Sequence, residues 1–171
     1  MTRRILTIIS QVPEVQRYTE PSVSELGLEG LEIQDAIYAW HNEAERRLSK
    51  PSDHDSQLFL ALIYYHALLI FLSGNFDYFG YWNIMAAPIL PQSEVEEHVS
   101  AILELTDEAL RTSNLAGTLM FFPLRVAGSR ARKEEQRSKI VKMLNSVFWK
   151  GFVVAGRMKD DLQQVWVERP L

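Results

Sequence analysis

No part of this chain constrains its fold more than Gln57–Trp82, QLFLALIYYHALLIFLSGNFDYFGYW. A helix drawn through Leu58–Leu72 has no polar face. Its only interruptions are the hydroxyls of Tyr64 and Tyr65 and the imidazole of His66. A helix that is apolar all round must be enclosed by other helices. The run is shorter than the roughly 18 apolar residues a bilayer asks for, so it reads as the core of a bundle and no membrane span is expected.

Size and charge narrow the function classes. The 171 residues suffice for one domain with a proper core. Hydrophobic residues make up 47% and charged residues 23%, which is globular composition. A net charge of -4 argues against a nucleic-acid surface, which should be basic. The absence of cysteine excludes disulfides, cysteine-ligated zinc, thiol catalysis and iron–sulfur clusters within these residues. Arg3 and Arg4 precede only a short apolar run, Ile5–Ile9, below the roughly 7–15 residues of a secretory core. The expected location is therefore intracellular and cytoplasmic.

Taken in order, Arg4–Gln11 predicts a short helix and Tyr18–Gly30 a loop. Leu31, Ile37, Trp40, Ala44 and Leu48 then mark an amphipathic helix that Pro51 ends. Ser52 or Asp53 can cap the central helix, with Gly74 as its left-handed stop. Asn75–Pro91 reads as irregular and aromatic. Ser93 and Glu96 have capping-box spacing. Val95, Val99, Ile102, Leu103, Thr106, Ala109 and Leu110 then trace one helix face as far as Ser113. Leu115–Gly128 holds Pro123 and predicts a helix bent or restarted there. Lys133–Trp149 points Ile140, Leu144, Val147 and Phe148 inward. Gly151 separates it from a last helix through Ala155, Met158, Leu162, Val165 and Trp166. With no strand signal, the expectation is an all-α single bundle of about six to eight helices around the buried central one.

The segments ALIYYHALLIFLSGNFDY, FFPLRVAGSRAR, KEEQR and the terminal VWVER resemble the C-terminal part of the fungal-specific transcription factor domain. This is the helical regulatory region of fungal zinc-cluster regulators. The resemblance covers about Gln57–Arg169. It implies a helical, ligand-responsive regulatory module. Members of that family carry a six-cysteine zinc cluster and a basic linker, and these residues contain neither. A stand-alone regulatory fold without direct nucleic-acid contact is expected, and fold alone does not fix what such a fold does.

Several side chains could carry chemistry. Adjacent helical residues lie about 100° apart, so Tyr65 and His66 can flank a cavity while Tyr64 points elsewhere. An imidazole there is a hydrogen-bond donor or general acid/base, or else a buried ring bonded to a carbonyl. Asp77 is either a turn residue or a carboxylate at the mouth of a pocket walled by Tyr78, Tyr81 and Trp82. Arg125, set in an apolar run, needs a carboxylate partner, from the protein or from a ligand. His41 with Glu45, and Asp53-His54-Asp55, have ligand residue types but no third or fourth ligand at telling spacing. No phosphate loop, nucleophile elbow or zinc-protease motif is present, and no metal or cofactor is expected.

Two functions follow. In the first, His66, Tyr65 and Arg125 act on an apolar metabolite, terpenoid- or polyketide-like, held by Tyr64, Asp77, Tyr78, Tyr81 and Trp82. The reaction would be a cofactor-free cyclisation or isomerisation. In the second, the chain is a regulatory interaction module that pairs with full-length zinc-cluster regulators in the nucleus, with the helix Ser93–Ser113 offering a face. A homodimer is compatible with either. An enclosed cavity beside Asn75–Trp82 would favour the enzyme. A solid core with an exposed apolar patch would favour the module.

Overall fold

An all-apolar helix needs neighbours on every side, and the chain supplies them. The computed structural model describes residues 7, 20–48, 56–78, 82, 86–112 and 116–168. Among the described residues six helices run in order: α1 (Glu20–Leu48), α2 (Ser56–Asp77), α3 (Gln92–Thr112), α4 (Phe121–Arg130), α5 (Glu134–Trp149) and α6 (Val154–Glu168). A short 3-10 turn, Gly117–Met120, leads into α4. Among the described residues there is no strand. Helix α2 is the hub and packs against α1, α3 and α4, while α5 and α6 pair and close over α3 and α4. Ile63, Ala67, Leu69, Ile70, Leu72 and Phe76 of α2 are buried, and so are Ile37, Ile102, Leu124, Ile140 and Leu162 around them. The bundle expected from the sequence is the bundle observed.

Gln57–Asp77 is 21 residues long and, by length and composition, apolar enough to cross a bilayer. The shorter span Leu58–Leu72 understated that length. Three neighbours pack against α2, and 39% of its apolar window is buried among them.

The expected loop Tyr18–Gly30 is helical from Glu20 onward. Leu26, Gly27, Gly30, Ile33, Ile37 and Ala44 form the buried stripe of α1, whereas Trp40 is exposed and Leu31 half-buried. Gly27 and Gly30 are the cause. A Cβ on Gly27 would meet the Ala86 carbonyl oxygen, and one on Gly30 would meet Phe76 at 2.8 Å and Pro88 at 2.9 Å. The segment 86–91 crosses α1 through this gap, and its Leu90 N–H donates to the Ser73 hydroxyl at 2.9 Å. Tertiary packing overrides the low helix propensity of glycine here. Gly27→Ala should therefore destabilise by about 1–3 kcal/mol, because a backbone carbonyl cannot rotate away. The gain in helix propensity is only about 1 kcal/mol. Urea unfolding of the variant measures the balance.

Gly74 is not a left-handed stop, since the one described glycine with positive φ is Gly151, at 98°. Helix α2 continues to Asp77, and bare Gly74 leaves room for the Arg130 guanidinium, 2.6 Å from where a Cβ would stand. Helix α3 begins at Gln92, which puts Ser93 inside its first turn. Glu96 pairs with Lys133 at 3.0 Å rather than closing a capping box. Its buried face is the predicted one, Val95 through Ala109, with Leu110 partly buried. Pro123 falls in the first turn of α4, where its missing N–H breaks no helical bond. Phe148, expected inside, is 37% exposed at the end of α5. The expected helix Arg4–Gln11, apart from residue 7, and the possible caps Ser52 and Asp53 lie outside the described residues, as does the Asp53-His54-Asp55 cluster.

Candidate functional site

Five rings from three helices meet at the middle of α2. His66 of α2 and His98 of α3 face each other with Nδ1 atoms 2.8 Å apart, so one neutral ring donates its N–H and the other accepts. Tyr65 stacks on His41 of α1 at 3.8 Å between centroids and meets His98 edge-on at 6.1 Å. Tyr38 closes the group edge-on to Tyr65 at 6.4 Å. Tyr64 points away, as helical geometry requires. Its hydroxyl donates to the Leu119 carbonyl at 3.0 Å, and its ring lies 5.6 Å from Phe122.

Burial first, then His98 and His41, bring the His66 imidazole down to a pKa of about 4. His98 is also lowered, by burial, against the opposing pull of Glu94 and Glu97 and with a further push from His41. Burial raises the Tyr65 hydroxyl, and Tyr38 and Glu45 add to that. His66, His98 and the Tyr65 hydroxyl are therefore uncharged at pH 7. An imidazole held that low is a poor proton acceptor near neutrality, and here it shares a hydrogen bond with His98.

Beside the rings lies an open cleft of about 480 Å³. His41 and His66 line it with Glu45, Glu104 and Glu108, over apolar side chains including Leu62 and Leu105. Among the described residues no group of three or more His, Asp or Glu side chains is placed to hold a metal ion. His41 instead approaches Glu45 at 3.7 Å along one helix face.

The remaining candidates are scattered. Asp77 accepts from Arg130 at 2.9 Å in a half-buried pair that ties α2 to α4. Tyr78 is 74% exposed, while Trp82 is wholly buried, edge-on to Phe76 at 4.9 Å. Tyr81 lies outside the described residues. Ion pair, solvent and core are three different surroundings, so the described residues do not assemble an aromatic pocket at Asn75–Trp82. Arg125 pairs with Asp161 at 3.2 Å, with both side chains more than half exposed rather than buried. Arg125→Ala should change stability by less than about 1 kcal/mol, as exposed ion pairs do, and a thermal melt checks it.

The sequence profile described as the fungal specific transcription factor domain matches residues 1–171, the whole chain. The chain belongs to this family. Membership of the fungal specific transcription factor domain family thus reaches beyond Gln57–Arg169 and takes in α1. No curated protein and no solved structure matches the sequence.

Sequence reasoning singled out His66 in this transcription factor domain but missed His98 and Arg130, the partners that define the site. A signal for His98 existed. It sits between Val95, Val99 and Ile102 on the helix face predicted to pack against the centre. Arg130 carried no such signal, because its pairing depends on α2 extending past Gly74 to Asp77.

Proposed function

We propose that these residues form a regulatory interaction module of fungal transcription control, acting on a DNA-binding partner by protein contact. The match of residues 1–171 to the fungal specific transcription factor domain carries this reading. Two further observations support it. These residues are acidic overall and contain no cysteine, so they do not themselves supply a zinc cluster or a basic DNA surface. Among the described residues Asp77, Tyr78 and Trp82 lie in an ion pair, in solvent and in the core rather than around one shared cavity. The apolar face of α3 is not the partner face, because it is spent on the core.

The test is co-purification from the producing fungus. The tagged chain should accumulate in the nucleus and bring down a zinc-cluster regulator. A chain that stays monomeric, outside the nucleus and free of such a partner overturns the reading.

A second reading rests on the cleft at His66. Its acidic rim and apolar floor suit a small apolar ligand bearing a positive charge, which would make the module ligand-responsive. A small-molecule screen by thermal shift at pH 7 tests it. Stabilisation that survives Glu104→Gln would assign the ligand to another place.

A further inference from the structure

The two last helices present a surface the rest of the bundle lacks. They run antiparallel: Phe148 faces Gly156, Lys159 donates to Asn145 at 3.4 Å, and the Arg137 guanidinium lies 5.5 Å from the Trp166 ring centroid. Nine large apolar side chains are exposed among the described residues, and five are here: Phe148, Trp149, Val153, Val154 and Val167. Trp149 is the most open of them, at 83%. Phe148, Trp149, Val153 and Val154 gather at the tip where α5 gives way to α6, while Val167 lies at the far end of α6; scattered single apolar residues are ordinary on a surface, but a gathered set is not.

The same stretch is basic. Residues 136–159 hold six cations and no Asp or Glu, between the acidic pairs Glu134-Glu135 and Asp160-Asp161, in a chain whose net charge is -4. Farther along the pair lies an open cleft of about 480 Å³ between α5 and α6, lined by Val141, Trp166 and Val167 with the cations Arg137 and Lys142 and one carboxylate, Glu134. Apolar tip, cationic flank and open cleft thus share one helix pair.

We propose that this face docks an acidic segment of another protein whose carboxylates alternate with aromatic or aliphatic side chains. The proposal rests on the interaction-module reading and names the chemistry of the partner. Charge decides against a second copy, since a two-fold contact here would set Lys150 and Arg157 against themselves. A flat anionic bilayer would use Trp149 and the cations but leave the cleft unfilled. A peptide side chain fills it, as an anchor in a pocket. Nucleic acid would make no use of the exposed valines.

The experiment uses the whole chain and a fluorescein-labelled 15-residue peptide that alternates Asp or Glu with Leu or Phe. Binding is followed by anisotropy. The peptide should bind, and added salt should weaken it. Trp149→Ser, and separately the pair Lys150→Glu with Arg157→Glu, should each lower affinity by about tenfold or more. These side chains are exposed, so unchanged circular dichroism will show the variants folded.

A peptide with every apolar residue changed to Ser should bind at least about tenfold more weakly. Equal binding by that peptide, or by the variants, overturns the proposal. So does binding to phosphatidylserine vesicles but not to the peptide, or a dimer in sedimentation that Trp149→Ser abolishes. The co-purification arm separates the two readings. If Trp149→Ser retains the DNA-binding regulator as well as the unaltered chain does, this surface is wrong and the module stands. If neither retains one while the peptide still binds as predicted, the module reading fails and the surface stands.

Discussion

Trp82→Ala is expected to cost about 3–5 kcal/mol of folding stability, as large aromatic truncations in cores do. The Trp82 side chain is fully buried, sits edge-on to Phe76, and would lie 3.2 Å from a Cβ placed on Gly27. Removing it opens a void between α1, the end of α2 and the crossing segment, and none of these can collapse into it without losing its own packing. Domains keep only about 5–15 kcal/mol in reserve, so the variant should be marginal at 37 °C. Its urea midpoint should fall with an unchanged slope. Tyr78→Ala, four residues earlier but 74% exposed, should stay within about 0.5 kcal/mol of the unaltered chain. The contrast tests whether NFDYFGYW is a pocket wall. A Trp82→Ala protein that kept its stability and lost a small-molecule ligand would restore the pocket.

Acidification should be the second large effect. The folded His66 imidazole has a pKa of about 4 against 6.5 for the free side chain. Between those values the unfolded chain binds the proton and the folded chain does not, so stability falls as pH falls through that window and is level above it. The shift bounds the loss from His66, and partial exposure reduces it to about 2 kcal/mol. His98 moves in the same direction. A second proton on the pair would also remove the acceptor from the Nδ1–Nδ1 bond. His41, Glu45, Glu94, Glu97 and Glu104 surround the pair from α1 and α3 and are common to any variant at position 66. The measurement is therefore a difference. Across urea midpoints measured from pH 8 to pH 4, the unaltered chain should lose stability relative to His66→Gln as pH falls, because Gln keeps a donor and an acceptor but does not titrate. Parallel curves would mean that the imidazole pair carries no such linkage.

Much of this fold was legible because two helices state their surroundings plainly. The apolar α2 demanded enclosure, and the stripe of α3 named its buried face residue by residue. The boundaries were harder to read. Gly27 and Gly30 look like loop residues until a second segment is known to pass through the space they leave. Gly74 looks like a stop until Arg130 is known to occupy its missing side chain. Both are facts of contact between distant parts of the chain, which local pattern does not encode. The site fared the same way. His66 and Tyr65 stand out by sitting in an apolar run, but the ring cluster needs His41 and His98, 25 residues before and 32 after His66. Trp82 and Tyr78 are equally aromatic in sequence, and only the turn that follows α2 decides which is core and which is surface.

The end of α5 is fastened with unusual completeness. Gly151 N–H donates to the Phe148 carbonyl at 2.9 Å and Phe152 N–H to the Val147 carbonyl at 3.4 Å, the paired bonds that a left-handed glycine makes possible. Trp149 is thus presented from a backbone that is already fixed. The loss of chain entropy on association then falls almost wholly on the arriving segment. Segments that are extended or helical beforehand gain an advantage over floppy ones of equal composition. Selection among partners becomes a question of how much order each brings with it, and their differences should show in how slowly they leave rather than how fast they arrive.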